Sequence, residues 1–536
     1  KEESPIYKTK IGREITIAPV YENTDSETTF NWTIDGKSIC TASTLTFSAD
    51  EAGRYFILIS ATNAGGTTEK EIRIDVFQLD VPTISIADAD KGFKVLQGSE
   101  LTITPIVDSF LETSYSWQIN GEDISNELTC TLPTIELGEY QVRFATHNED
   151  GDDEVTFKVE VCSPDQVDFN WTFLQTEYNM SAGRTIRIKP VDVNNALDAV
   201  YTWTVDNEQV QSGENDTYLF TSEQQGEHTV KVEMKNSYIL ATQTLKVNVC
   251  PPAGTYQRKI SATSSASMNK VYEYLPAPGQ FINENHNTTT MAEACTYAEE
   301  RINQTAYVSL GGFGGYIIVG FDHSIVNDGD YNIAITGNAF DGSSEPGIVW
   351  VMQDENGDGL PNDTWYELRG SEYGKAETWQ DYAVTYHKPT GIQLPTPWTD
   401  NHGQSGSIDY LGAFHRQDYY YPAWVKEKQY TLRGTRLKER NYDQSGNGTY
   451  WVNDSYEWGY ADNFSAIDRL TDDDNYNAGP SDNHFKISHA VTFDGKDANL
   501  KYVDFIKVQV GVNSKSGWLG EISTEVFGIK DFNMLK

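Results

Sequence analysis

The chain has 536 residues, a formal net charge of -39 at pH 7 and a pI near 4.5. This acidity argues against a nucleic-acid partner and against docking on anionic lipid, because both need a basic surface. No run of about 18 apolar residues is present, so the sequence predicts no membrane-spanning helix. At about 100–200 residues per domain, the length predicts several domains.

The chain opens on Lys1 without a preceding methionine. We infer that an N-terminal export segment has been removed. The five cysteines are few for a secreted disulfide scaffold, and no Cys-x-x-Cys pair suggests a thiolate zinc site. We expect them to be buried as small apolar side chains.

The first half of the chain contains three copies of one pattern. Trp32, Trp117 and Trp203 recur at intervals of 85 and 86 residues. Other landmarks keep the same spacing in each copy, and they are Pro19, Pro105 and Pro190, then Gly53, Gly138 and Gly226, then Asn63, Asn148 and Asn236. Several landmarks with one period indicate an internal repeat.

Each repeat has short alternating strands, turn residues between them and one central tryptophan, which predicts a β-sandwich. The Trp-x-Ile/Val-Asp/Asn turn and the Gly-x-Tyr/His strand resemble those of PKD-type Ig-like domains. We assign the repeats to residues 1–78, 79–163 and 164–251. The shared phase of the tryptophans favours core packing over glycan binding. The resemblance implies a spacer or adhesive role at a bacterial surface.

Residues 252–536 have a different composition, and we predict one larger β-sandwich or jelly-roll-like domain with one surface helix. The helix is predicted over Met291–Asn303, behind a capping box formed by Thr290 and Glu293. Its buried face is predicted to contain Ala292, Cys295, Ala298 and Ile302. Predicted strands in this domain are Tyr316–Phe321, Tyr331–Ile335, Ile348–Met352, Val503–Val510 and Gly520–Phe527.

An oxygen-rich loop follows the third of these strands and has calcium-ligand spacing. Its candidate ligands are Asp354, Asn356, Asp358, the Leu360 carbonyl and Asn362. Trp365 occupies the twelfth position, where a complete EF-hand has glutamate, so the bidentate ligand would come from Asp363, Glu367 or elsewhere. The alternative is a water-filled acidic turn. A calcium ion held here would be structural.

A second candidate site combines histidines with large aromatic residues in a glycine-rich stretch. Its candidate residues are Trp398, His402, His415, Tyr419, Tyr420 and Trp424. Three consecutive tyrosines cannot all point into a core from a regular strand, so at least one ring is expected to be exposed for stacking on a flat ligand. Either histidine could coordinate a transition metal, although a structural histidine is the alternative.

The sequence gives little support for catalysis. It contains no Gly-x-Ser-x-Gly, His-Glu-x-x-His or Cys-x-x-Cys motif. The many acidic residues leave a glycosidase-type carboxylate pair open. We expect no enzymatic activity.

Several phrases in residues 255–536 carry a family resemblance: GGYIIVGFDHSI, ITGNAFDGSSEPGIVWVMQDENGDGLPNDTWYELRGSE, YYPAW and DFIKVQVG…GWLGEISTEVFG. They resemble the C-terminal domain of surface lipoproteins of gut bacteria that bind cobamides (vitamin B12), the BtuH type. The resemblance implies a monomer anchored to the outer membrane by an N-terminal lipid. It further implies capture of cobamides outside the cell and delivery to a TonB-dependent transporter. The alternative is a carbohydrate-binding or adhesive surface protein.

Overall fold

The computed structural model describes residues 6–536 except 88, 135, 164–165, 167–168, 195, 197, 237–238 and 471–479. The protein is mostly β, with several Ig-like sandwich repeats followed by a larger β domain, as predicted. Within the described residues, neither α-helix combines the length and apolar character that crossing a bilayer would require.

The first repeat has one five-stranded sheet in the order β1-β7-β6-β3-β4 and a two-stranded sheet, β2-β5. Its strands are β1 (Ile6–Lys10), β2 (Ile15–Ile17), β3 (Thr29–Ile34), β4 (Lys37–Cys40), β5 (Leu45–Phe47), β6 (Gly53–Asn63) and β7 (Gly66–Phe77). Asp35 and Gly36 have φ angles of 48° and 75° between β3 and β4. These left-handed conformations are those that a two-residue hairpin turn requires, so the Asp-Gly pair fixes the hairpin.

The second repeat keeps the same kind of five-stranded sheet, in the order β13-β12-β15-β16-β9. Its strands are β8 (Thr83–Ser85), β9 (Phe93–Leu96), β10 (Leu101–Ile103), β11 (Ile106–Asp108), β12 (Ser114–Ile119), β13 (Glu122–Ser125), β14 (Cys130–Leu132), β15 (Gly138–Asn148) and β16 (Gly151–Cys162). Asn120 and Gly121 form the hairpin turn at φ angles of 50° and 87°.

The third repeat has the sheet order β18-β25-β24-β21-β22. Its strands are β17 (Trp171–Phe173), β18 (Glu177–Ser181), β19 (Thr185–Ile188), β20 (Pro190–Val193), β21 (Val200–Val205), β22 (Glu208–Gly213), β23 (Tyr218–Thr221), β24 (Gly226–Lys235) and β25 (Leu240–Cys250). Trp32, Trp117 and Trp203 are fully buried in the three repeats, which confirms that they are core residues.

The C-terminal domain is built on a six-stranded sheet whose strand order is β26-β28-β40-β30-β31-β39. A four-stranded sheet has the order β34-β33-β32-β35. Three smaller sheets have the orders β38-β29-β42, β27-β41 and β36-β37. Its elements are β26 (Lys270–Leu275), α1 (Met291–Asn303), β27 (Val308–Ser309), β28 (Tyr316–Val326), β29 (Ile333–Gly337), β30 (Gly347–Met352), β31 (Trp365–Leu368), β32 (Trp379–His387), β33 (Thr396–Asp400), β34 (Ser405–Ile408), β35 (Gln429–Arg436), β36 (Asn441–Asp443), β37 (Trp451–Asn453), α2 (Ala466–Arg469), β38 (Ser481–Phe485), β39 (Ala490–Val491), β40 (Tyr502–Val510), β41 (Glu525–Val526) and β42 (Gly528–Asp531).

The helix α1 begins and ends where the sequence predicts, and the Thr290 side chain caps it by accepting the Glu293 N–H. The Glu293 carboxylate accepts the Thr289 N–H. The predicted buried face is wrong at one position: Ala292 is exposed and Ala294 is buried. Ala294 and Ala298 are one turn apart, so they share the face that packs on the core.

The prediction for the last strand is wrong in part, whereas the prediction for the cysteines is largely confirmed. The predicted strand Gly520–Phe527 is wrong in extent, because only Glu525–Val526 is a strand and a 3₁₀ turn, Gly517–Leu519, precedes it. The cysteines are free thiols; Cys40 is half-buried, and the other four are buried as expected.

Candidate functional site

A row of partly exposed rings crosses the C-terminal domain. Its members, which we call the aromatic strip, are Phe281, Tyr307, Phe414, His415, Trp518 and Phe527. Neighbouring ring centroids are 5.4 Å apart for Phe527 and Tyr307, 6.0 Å for Tyr307 and Phe281, and 4.8 Å for Phe281 and His415. At the other end, Phe414 lies 6.4 Å from Trp518. The strip therefore contains two groups of contacting rings, which the neighbouring residues Phe414 and His415 join along the chain, and its well-exposed rings are Phe414 at 66% and Trp518 at 50%.

Long-range contacts between loops position the strip. The Gln417 side-chain amide donates to the carbonyls of Gln280 and Ile282, which fixes the loop before α1 against the loop after β34. The Gln280 side chain in turn donates to the Leu519 carbonyl, so it holds the turn that carries Trp518. Side chains that donate hydrogen bonds to backbone carbonyls in this way allow irregular segments to pack without forming a sheet.

His415 is held in one orientation by Glu284. Its Nδ1 lies 2.6 Å from Glu284 Oε1, and the two side chains are 16% and 25% exposed. A carboxylate oxygen only accepts hydrogen bonds, so Nδ1 carries a proton, and the tautomer selected by this contact has its lone pair on Nε2. No described residue hydrogen-bonds this Nε2. A carboxylate that orients a histidine in this way is the usual support of a metal-ligating imidazole.

Only one of the six residues predicted for the aromatic site, His415, belongs to the strip. His402 lies in the turn between β33 and β34 and stacks on Trp379, with centroids 4.3 Å apart and ring planes 10° apart. The Arg436 guanidinium lies 4.5 Å from the same indole. Trp398 is half-buried in β33 and packs against the core of the domain.

Tyr420 and Trp424 are core residues, at 1% and 7% exposure, while Tyr419 is half-buried. The Tyr420 hydroxyl accepts from the Leu411 N–H and donates to the His415 carbonyl. The Trp424 indole N–H donates to the Tyr274 carbonyl. The buried Tyr420 therefore holds the loop that contains His415 through these two hydrogen bonds. Trp424 is packed in the core, away from solvent.

The predicted calcium loop folds as a series of turns around its own side chains. The two carboxylate oxygens of Asp354 accept the N–H groups of Gly357 and Gly359. Asn356 and Asp358 accept the N–H groups of Asp358 and Leu360. The oxygens are of the type calcium prefers. Among the described acidic, histidine and cysteine side chains, however, the carboxylates of this loop do not form a group of three with ligand atoms within 4.8 Å of one another.

The same loop packs against the third repeat. The Ser181 N–H donates to Glu355 Oε2, and Arg184 Nε lies 3.1 Å from Glu355 Oε1. The Asn179 side chain donates to the Asn362 carbonyl. Burial, followed by the charges of Glu355 and its acidic neighbours, raises the pKa of Asp363 to about 8. The loop is therefore part of a domain junction, where any bound cation would act structurally.

Sequence reasoning missed Phe281, Glu284, Tyr307, Trp518 and Phe527. They come from segments far apart in the chain and share no period. The one local signal was the glycine pair around Trp518, since Gly517 and Gly520 have φ angles of 53° and 88° and hold this residue in a tight exposed turn.

A family model described as PKD-like domain matches residues 1–63, 81–148 and 153–236. The three matches lie in the part of the chain that contains the repeats, and they confirm the PKD-like, Ig-like character of that part. No curated protein matches the sequence.

Three solved multidomain structures resemble the chain. The N-terminal domains of the bacteriophage RB49 Highly Immunogenic Outer Capsid protein are 15% identical and cover 45% of this chain and 94% of theirs, with a TM-score of 0.22. A titin I-band fragment is 14% identical over 47% of this chain and 98% of its own, with a TM-score of 0.21. The fibronectin(III)-like modules of Clostridium thermocellum CbhA are 16% identical over 33% of this chain and 100% of theirs, with a TM-score of 0.18. The PKD-like repeats of this chain point to an extracellular adhesive or binding protein.

Proposed function

We propose that this protein is a cell-surface binding protein that captures cobamides on the aromatic strip of its C-terminal domain. The observation that carries the proposal is the pairing of His415 with Glu284 inside a row of exposed rings. A cobamide combines a broad, partly apolar corrin ring with a cobalt ion that accepts an axial nitrogen. The strip offers surfaces for the ring, and His415 offers the nitrogen.

The chemistry is ligand exchange. In aquocobalamin the cobalt carries a water molecule, and the His415 Nε2 lone pair would replace it. The water leaves as a neutral molecule and no proton moves, because Nδ1–H remains donated to Glu284. The same rings would stack on the corrin edge and exclude water from the cobalt–nitrogen bond. This is binding without turnover, so we propose no enzymatic activity.

The remaining parts of the proposal concern location and delivery. An N-terminal lipid would anchor the chain at the outer membrane, and the three repeats would act as a spacer. A TonB-dependent transporter would receive the cobamide. The protein would act as a monomer, with a calcium ion in the Asp354 loop stiffening its junction with the third repeat. Support for that ion is the set of oxygen donors and the buried Asp363, whose Oδ1 has no hydrogen-bond partner.

Equilibrium dialysis of the full chain against aquocobalamin tests the proposal. We expect red protein after desalting, with roughly tenfold weaker retention in the Phe414→Ala/Trp518→Ala double variant. Trp379→Ala, which removes an indole outside the strip, is the matched control and should bind as the wild type does. Colourless wild-type protein at excess vitamin would refute the proposal.

The exposed rings of the strip also favour a second candidate, binding of a polysaccharide chain. Successive sugar rings stack on rows of aromatic side chains, and Trp518 and Phe414 are the exposed rings such a chain would meet first. Retention on polysaccharide affinity gels separates the two candidates. Wild-type protein that is retarded by a glycan and does not bind aquocobalamin would favour the polysaccharide.

A further inference from the structure

Three carboxylates from distant parts of the chain meet inside the C-terminal domain. Glu345 precedes β30, Asp462 lies before α2, and Glu525 begins β41. One oxygen from each lies within 4.8 Å of the others, and this is the one such group of three or more acidic, histidine or cysteine side chains among the described residues. These residues take no part in the aromatic strip or in the Asp354 loop.

The group carries no balancing positive charge. Asp462 and Glu525 are 1% and 3% exposed, and Glu345 is half-buried. None of the ion pairs formed by the described lysine, arginine and histidine side chains includes any of the three. Placing an unpaired carboxylate in a protein interior costs several kcal/mol. Three of them together need either bound protons or a cation.

The hydrogen bonds leave one carboxylate oxygen of the group without a donor. Asp462 Oδ1 accepts the N–H groups of Asn338 and Ala339, and Asp462 Oδ2 accepts that of Glu525. Glu345 Oε1 accepts the Ser523 N–H. Glu525 Oε1 accepts nothing, although it is buried and its carboxylate faces the other two. A buried acceptor without a donor loses its hydration uncompensated, and a cation restores the missing interaction.

A fourth carboxylate nearby repeats this feature. Glu521 is 4% exposed, its Oε1 accepts the Gln280 N–H, and its Oε2 has no partner. Burial is the main cause that raises the pKa of Glu521 to about 8, with a contribution from the charge of Glu345. Burial likewise raises the pKa of Glu345 and that of Asp462 above their ordinary values.

We propose that Glu345, Asp462 and Glu525 form a binding site for a calcium ion. The donors are all oxygen, which selects hard divalent cations such as calcium, and water molecules would complete the shell of at least six oxygens around the three carboxylates. The bound ion would cross-link three loops, including the segment between β40 and β41 that carries Trp518.

The test uses Asp358→Asn as the background, because this change removes a negative charge from the Asp354 loop, which weakens calcium binding there, and leaves the buried group intact. After chelation and desalting, calcium is titrated into the full chain by calorimetry, with terbium luminescence as a second readout. We expect the D358N protein to bind one calcium ion. Adding Glu525→Gln, which keeps the shape and removes the charge, should weaken that binding at least tenfold.

Two results would overturn the proposal: D358N protein that binds no calcium, or D358N/E525Q protein that binds as D358N does. If E525Q fails to fold, Glu345→Gln serves in its place, because Glu345 is partly exposed. The thermal midpoint gives an independent check. It should rise with calcium in D358N and stay unchanged in the double variant. Cobamide binding is measured separately, so its failure would not be confused with failure of this site.

Discussion

The Nδ1 atom of His415 lies 2.6 Å from the Oε1 atom of Glu284, which joins two residues that are 131 positions apart in the chain. This contact fixes the tautomer of the histidine and directs its second nitrogen away from the carboxylate. Phe281, three residues before Glu284, meets the same imidazole edge to face at 4.8 Å. The loop before α1 therefore both orients and flanks the histidine.

Replacing Glu284 with alanine should weaken aquocobalamin binding by about 10–100-fold, the usual cost of losing a carboxylate behind a metal-ligating histidine. The variant should fold normally, because Glu284 is partly exposed. Titration followed by visible absorbance gives the affinity. Glu300→Ala, an exposed change on α1, is the control. Equal affinities of the E284A and wild-type proteins would contradict the assigned role of Glu284.

Trp518→Ala and Trp424→Ala should separate binding from stability. Trp518 is half exposed, so its removal should change the free energy of unfolding by less than about 0.5 kcal/mol and weaken ligand binding several-fold. Trp424 is 7% exposed and donates to the Tyr274 carbonyl, so its removal should cost about 3–5 kcal/mol of stability. Urea unfolding measures both. A W424A protein as stable as the wild type would contradict the buried position of Trp424.

His286 should make the C-terminal domain less stable in acid. Burial, followed by the Arg301 charge, lowers the pKa of His286 to about 4. Between about pH 6.5 and 4 the unfolded chain therefore binds a proton that the folded state does not, and stability falls as the pH falls. The slope is at most about 1.4 kcal/mol per pH unit.

His286→Phe keeps a ring against Tyr297, whose centroid lies 4.0 Å from that of His286, and removes the titrating group. Urea unfolding at several pH values should show a shallower loss of stability than the wild type between pH 6.5 and 4. Parallel curves for the two proteins would show that His286 does not titrate as described.

Arg184→Ala should destabilise the junction between the third repeat and the C-terminal domain. The Glu355 side chain is 1% exposed and faces Arg184 at 3.1 Å. Loss of the arginine would leave a buried charge unpaired, at a cost of about 3–5 kcal/mol. The Arg184→Met/Glu355→Gln double variant removes both charges and should recover most of that loss. If R184A and the double variant unfold at the same urea concentration, the ion pair is not the cause.

Local patterns in the sequence predicted the repeats and the helix well. The hairpin turns need left-handed residues, which Asp35-Gly36 and Asn120-Gly121 supply, and the capping residues of α1 lie three positions apart. Each of these signals is confined to a few neighbouring residues. Contacts within such a short span depend little on the rest of the fold, so the sequence is sufficient to predict them.

The aromatic strip depends on contacts that no local pattern in the sequence records. The strip takes rings from five separate segments, and its histidine depends on a glutamate that precedes it by 131 positions. The burial of the consecutive tyrosines could not be predicted for a different reason. Tyr420 and Tyr421 are both buried because their loop has no alternating strand geometry, and each hydroxyl finds a backbone partner. Irregular backbone removes the rule that successive side chains face opposite ways.

The most direct test of the central claim is a titration of aquocobalamin with the full chain, followed by visible absorbance. Exchange of the cobalt-bound water for an imidazole nitrogen shifts the corrin spectrum. We predict that the wild type and His402→Ala proteins produce this shift at equal protein concentrations and that His415→Ala does not. A full shift with H415A, or none with the wild type, would contradict the assignment of the aromatic strip as the cobamide site.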